Sequence, residues 1–226
     1  ADIIEIGMPF SDPMADGPSI QDSSLRSLNN GHDMNKTLMM IERFRVKDRE
    51  TPIVLMGYFN PIFQFGVKSF INKCVEVGVD GLIVVDLPIE HSDEICVPAR
   101  KSGIDFINFI TPTTNKERLK QILKVSSGFL YFVSIAGITG TKAPDNKIIE
   151  ELIKNVKQNT DLPIGVGFGI KSSSQVEEIS NFSDAIVVGS AIVNEIDSLK
   201  IKNFDNDLIV KNMIDFLLEL SNPLKG

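Results

Sequence analysis

Short, almost wholly apolar runs alternate with amphipathic stretches from one end of the chain to the other. The runs are Ile3-Ile4 leading into Glu5, then residues 52–56, 81–85, 104–110, 129–133, 163–166 and 185–188. Their length and Val/Ile content predict strands buried on both faces, as in a parallel sheet. Between them apolar residues recur at helical spacing over residues 19–28, 33–46, 67–77, about 92–101, 147–158, 172–180 and about 207–220, with further helices ending at Val125 and starting near Ala191. Ser19 and Asp33 stand where helix N-caps are expected, and Gly78 and Gly103 where helices end. Pro98 is expected to break its helix early, and Gly57-Tyr58-Phe59-Asn60-Pro61 reads as a loop.

Strands alternating with helices predict a parallel sheet covered by helices, and so many units favour an α/β fold of the (β/α)8 TIM-barrel type. Seven strands are countable. The expectation is therefore a single (β/α)8-barrel domain over residues 1–226, N-terminally truncated by the first strand and helix, roughly 40 residues. Such a remainder leaves the strands at Ile3 and Val187 with unpaired edges. An open doubly wound sheet would need a nucleotide fingerprint, and Gly165-Val166-Gly167-Phe168-Gly169 lacks its spacing.

At 226 residues and 42% hydrophobic content the chain suits one large domain with a substantial core. A net charge of −7 argues against nucleic acid or an anionic membrane as the main partner, since both demand basic patches. A phosphorylated substrate stays compatible, because helix N-termini and glycine amides bind phosphate without lysine. Cys74 and Cys96 have no Cys-x-x-Cys spacing, and His32 and His91 are isolated, so no metal is expected. The two cysteines read as small apolar residues of a reducing compartment. With no apolar run of membrane-spanning length and no secretory signal, the expected location is cytoplasmic.

Candidate chemistry concentrates in residues 5–18, Glu-Ile-Gly-Met-Pro-Phe-Ser-Asp-Pro-Met-Ala-Asp-Gly-Pro. A glutamate among isoleucines loses hydration of its charged form, which raises its pKa. Pro9, Pro13 and Pro18 stiffen the loop that carries Asp12 and Asp16. In a barrel the site lies at the C-terminal ends of the strands, where Glu5, Asp16, Tyr58, Asp86, Tyr131, Gly140, Gly169 and Gly189 all fall. The residues alone leave alternatives open. Glu5 and Asp16 read either as a site or as a solvated strand end with turn-forming aspartates, Tyr131 either as a site residue or as packing, and Asp86 either as a site residue or as a cap of the following helix. Gly140, Phe168-Gly169 and Gly189-Ser190 follow consecutive late strands and offer amides to an anion, with the dipole of the helix starting near Ala191 behind them.

Glu5, Gly7, the run Pro9-Phe10-Ser11-Asp12-Pro13, the run Ala15-Asp16-Gly17-Pro18 and Gln21 together resemble the signature of the tryptophan synthase alpha subunit family. The endings Gly137-Ile138-Thr139-Gly140, Gly167 to Ile170 and Gly189 to Val193, with Asp86-Leu87-Pro88 and Tyr58-x-Asn60, fit as well. The resemblance implies retro-aldol cleavage of indole-3-glycerol phosphate to indole and glyceraldehyde 3-phosphate. It puts the catalytic acid/base on Glu5 and the second carboxylate, kept ionised in a polar loop, on Asp16. Tyr131, Thr139 and Phe168 become substrate contacts, Thr139 as part of a closing loop that bonds Asp16, and Gly140, Gly169, Gly189 and Ser190 hold the phosphate. No cofactor is implied for this chain. Pyridoxal phosphate is expected in a beta subunit that joins it as an alpha2beta2 heterotetramer, through residues 8–16 and 58–63. Ile135 and His91 depart from the family pattern at loops. Two competing expectations are another phosphate-binding barrel, an isomerase or epimerase, and a non-catalytic regulatory partner of a beta-like subunit.

Overall fold

The structure, a computed structural model, describes residues 1–133, 146–167 and 169–225. The chain forms two compact units, one of Ala1–Phe109 with Asn115–Leu130 and one of Ile110–Thr114 with Tyr131–Gly226.

The first unit holds β1 (Ile4–Gly7), α1 (Pro18–Asn29), α2 (Met34–Arg45), β2 (Ile53–Gly57), α3 (Phe59–Phe65), α4 (Val67–Val77), β3 (Gly81–Val84), a 3-10 turn (Ile89–Glu94), α5 (Cys96–Lys101), β4 (Asp105–Phe106), the start of β5 (Asn108–Ile110) and α6 (Lys116–Val125). Strands β1 to β4 pair side by side in chain order, all parallel. Glu5 stands opposite Val54, and Leu55 opposite Leu82. In this unit β2 and β3 are buried as predicted, with Ile53, Leu55, Leu82 and Ile83 wholly inaccessible, whereas β1 is only half-buried. Ile53, Leu55 and Leu82 pack with Phe70, Ile71, Cys74 and Val77, the inward stripe of α4. That helix ends where the sequence placed its end, at Gly78, whose φ of 82° is left-handed and favours glycine.

Four local expectations are corrected. Asp33 does cap α2, its Oδ1 accepting the Lys36 N–H at 2.8 Å, but Ser19 caps nothing; Gly17 is the N-cap of α1 and Pro18 its first residue. The stretch after Tyr58 is helical, not a loop, because Pro61 lies in the first turn of α3, where a missing N–H leaves no helical bond unmade. Pro98 is accommodated in the first turn of α5 for the same reason, and the interruption falls at Ile95 instead. Residues 104–110 are not one strand but β4 and β5, parted at Ile107.

The second unit comprises the end of β5, then β6 (Leu130–Val133, from Tyr131 on), α7 (Asn146–Lys157), β7 (Ile164–Gly167), α8 (Ser173–Ser180), β8 (Ala185–Ile186), α9 (Ser190–Ile201), α10 (Asn206–Ser221) and a final 3-10 turn (Asn222–Lys225). The sheet order is β5-β6-β7-β8, with Gly165 opposite Ala185 in the parallel β7–β8 pair. Ser172 and Asp205 cap α8 and α10 by accepting the Gln175 and Leu208 N–H groups. Leu199, Ile209 and Met213 pack between α9 and α10. No described helix is long and apolar enough to cross a membrane.

One lock recurs in both units. Asp80, just before β3, donates its N–H to the Ile53 carbonyl and takes the Ile53 N–H on its carboxylate at 2.7 Å, while Arg45 at the end of α2 pairs with the same oxygen at 2.7 Å. Asp184, just before β8, makes the same pair of bonds with Ile164, taking its N–H on Oδ2 at 2.8 Å, while its other oxygen, Oδ1, pairs with Lys157 at the end of α7. Each aspartate ties the start of a neighbouring strand to the helix that precedes that strand.

Candidate active site

Glu5 sits mid-way along β1, half-buried, and its carboxylate has no hydrogen-bond or ion-pair partner among the described residues. Burial pushes its pKa up to about 7, and the negative charge of Asp16 adds to the rise. A carboxyl group poised there both gives and takes a proton near neutral pH.

Asp16 lies in the loop between β1 and α1. Its own N–H donates to the Pro13 carbonyl at 3.1 Å, and its carbonyl accepts from the Gln21 amide at 2.8 Å, so the motif's Gln21 serves to brace the loop. The Asp16 Oδ2 accepts a hydrogen bond from the Tyr58 hydroxyl at 2.9 Å. Sequence reasoning expected a polar loop that keeps Asp16 ionised. Asp16 itself is half-buried although Ala15 and Gly17 beside it are exposed, and burial pushes its pKa upward while the Tyr58 hydrogen bond opposes that rise.

Tyr58 itself is buried, its ring against Phe10 with centroids 5.3 Å apart. Its oxygen accepts the Ala15 N–H at 3.0 Å. Burial drives its phenol pKa well above the ordinary value, so the group remains a proton-bearing donor. Asp86, beyond the end of β3, accepts the Phe59 N–H at 2.7 Å and thereby caps α3, which precedes it in the chain, not the helix that follows. Sequence reasoning placed Tyr58 at a strand end without giving it a role; its partners Ala15 and Asp16 lie 43 and 42 positions away in the chain, so the contact is tertiary and leaves no local signal.

In the second unit, Tyr131 is half-buried on β6, and β7 passes so close to it that a Cβ at Gly167 would meet its hydroxyl oxygen at 2.5 Å. Gly169 adopts φ 53° and nothing lies within 4 Å of the place a Cβ would take. Gly189 is the N-cap of α9 and equally open, and Ser190 is the first residue of that helix, exposed, where backbone N–H groups lack helical acceptors. Thr139, Gly140 and Phe168 lie outside the described residues. Among the described residues no group of three or more His, Cys, Asp or Glu side chains could hold a metal ion. His32 bonds Thr37, and Cys74 and Cys96 are buried free thiols.

The chain is similar to proteins of known structure. It is similar to the tryptophan synthase alpha subunit of Legionella pneumophila strain Paris, with 36% identity and a TM-score of 0.91 over 99% of this chain and 82% of that one. It is also similar to a chain of the Pyrococcus furiosus tryptophan synthase complex, with 36% identity and a TM-score of 0.84 over 97% and 86% of the two chains. An Aquifex aeolicus structure is 34% identical with a TM-score of 0.87 over 100% of this chain and 82% of that one. At such identities the likeness extends to the fold class expected from the sequence, an α/β fold of the (β/α)8 type. The sequence profile described as tryptophan synthase alpha chain matches residues 1–216, and the chain belongs to that family.

Proposed function

We propose that the chain is the lyase that cleaves indole-3-glycerol phosphate to indole and glyceraldehyde 3-phosphate in tryptophan biosynthesis, with Glu5 carrying the protons. The observation that supports these roles above all is the pairing, in one unit, of a proton-exchanging Glu5 with a hydrogen-bonded Asp16.

The retro-aldol step needs a proton delivered to indole C3 and one removed from the side-chain hydroxyl. As the carbon–carbon bond breaks, its electrons return to the indole ring, and the hydroxyl oxygen becomes the aldehyde oxygen. Glu5 as an acid supplies the first proton and as a carboxylate takes the second, so it ends the cycle as it began. Positive charge builds on the indole nitrogen meanwhile. Asp16, as an anion, accepts the indole N–H and stabilises that charge. Tyr131, Thr139 and Phe168 contact the substrate, and Gly140, Gly169, Gly189 and Ser190 hold its phosphate through backbone amides. The open Cβ side of Gly169 and the helix N-terminus at Ser190 support that assignment.

The Pyrococcus furiosus relative is described as an a2b2 complex, and we assign this chain a beta-subunit partner in the same arrangement. Pyridoxal phosphate belongs to that partner. Free buried thiols accord with a cytoplasmic location. The test is indole release from indole-3-glycerol phosphate by the chain and by Glu5→Gln, with and without a beta subunit. The chain has no Trp, so indole fluorescence reads over a low background. Release by the wild type and its loss in Glu5→Gln supports the reading; full turnover in the variant removes Glu5 as the acid/base, and beta-subunit binding without any turnover removes the lyase.

A further inference from the structure

The hydroxyl of Tyr58 has one proton and two neighbours. The Ala15 N–H, 3.0 Å away, can only donate, so the phenol oxygen is its acceptor. The phenol proton is therefore committed to Asp16 Oδ2 at 2.9 Å. The direction of both hydrogen bonds follows from the donor inventory alone.

Gln21 and the Pro13 carbonyl brace the backbone at Asp16, but among the described residues the donor to its carboxylate is the Tyr58 hydroxyl. Ala15 and Gly17 on either side are exposed, and Met14 is 79% exposed. Tyr58, by contrast, is 3% exposed, leans on Phe10, and stands at the N-cap of α3, whose first N–H is held by Asp86. A buried phenol anchored from two sides thus holds the carboxylate of a partly exposed loop.

We propose that Tyr58 is a positioning residue for the lyase reaction, fixing the Asp16 carboxylate in the orientation that receives the indole N–H and favouring its anionic form while Glu5 carries the proton. The proposal rests on the lyase reading of the site for its catalytic consequence, but the Tyr58–Asp16 coupling can be measured without substrate. A donor to a carboxylate stabilises the anion over the acid, so Tyr58 opposes the upward push of burial on Asp16. The charge kept on Asp16 in turn raises Glu5. One phenol therefore sets two acids apart, giving one the role of anion and the other the role of proton carrier. The groups acting on this cluster are Glu5 from β1, Tyr58 at the start of α3 and Asp86 from the end of β3.

The distinguishing result is that Tyr58→Phe shifts two titrations in opposite directions. Carbon-detected NMR of the ligand-free chain should show Asp16 titrating at higher pH and Glu5 at lower pH than in the wild type. With substrate, kcat should fall roughly 10- to 100-fold with a smaller change in KM, because the misoriented carboxylate matters most as charge develops. Incorporating 3-fluorotyrosine, which alters only Tyr58 and Tyr131 and makes a stronger donor, should move Asp16 the other way, to lower pH. It also serves if Tyr58→Phe does not fold. Asp16 and Glu5 titrations unmoved by either change, or moving together, overturn the proposal. If the wild type releases no indole, the lyase reading fails while the titrations still decide whether Tyr58 governs Asp16.

Discussion

Gly167 and Tyr131 exclude any side chain between them: a Cβ at Gly167 would stand 2.5 Å from the tyrosine oxygen and 2.8 Å from its ring. Real atoms do not approach so closely, and the obstacle is an aromatic ring, not the tip of a flexible chain. Gly167→Ala should therefore displace Tyr131 and lower stability by about 1–3 kcal/mol, the usual cost of overpacking. Urea unfolding measures the loss. If Tyr131 contacts substrate, KM for indole-3-glycerol phosphate rises in the same variant.

Ionising Glu5 in the folded protein is harder than in the unfolded chain, whose carboxyl titrates near 4.5. The folded state thus binds the proton more tightly. Its penalty begins above pH 4.5, grows with pH, and is complete once pH passes about 7. Glu5→Gln should unfold at higher denaturant than the wild type at pH 8 to an extent of at most about 3 kcal/mol, and the advantage should vanish near pH 4. Urea titrations at the two pH values check the sign.

Asp184 shows the reverse linkage. Burial pushes its pKa up, but Lys157 and the Ile164 N–H together hold it below the ordinary value. Its contribution is present above the unfolded-state pKa and is lost as pH falls through the folded one. Asp184→Ala leaves the N–H of wholly buried Ile164 without this acceptor and should cost about 1–3 kcal/mol at neutral pH. The corresponding Asp80→Ala should cost a similar amount through Ile53, and also strips Arg45 of its carboxylate partner. Thermal melts of Asp184→Ala from pH 7 to pH 3 should approach the wild type toward the acid end, and melts of Asp80→Ala at neutral pH measure its loss.

Much of this was legible beforehand. The strand runs, the end of α4 at Gly78 and the capping by Asp33 depend on local chemistry, which a sequence displays directly. Prolines misled because the sequence does not say where a helix begins: Pro61 and Pro98 are harmless only by lying in a first turn. The rise in the Glu5 pKa was readable from its apolar neighbours in the chain. That of Asp16 was not, since its burial and its Tyr58 partner, 42 positions away, come from tertiary contact.

Cys74 is buried within the first unit's core, and burial pushes its thiol pKa up to about 12. Cys96 is raised as well, by burial first, and its thiol donates to the Val125 carbonyl. Thiolate is the reactive form. Neither cysteine should react with a disulfide reagent at pH 8 in the folded chain, and both should react at once in urea.

The proton-carrying role of Glu5 is tested most directly by its own titration. Carbon-detected NMR of the side-chain carboxyl, in the folded chain without substrate, should give a midpoint near 7. A midpoint at the ordinary 4.5 would leave Glu5 a plain carboxylate at neutral pH and contradict the account.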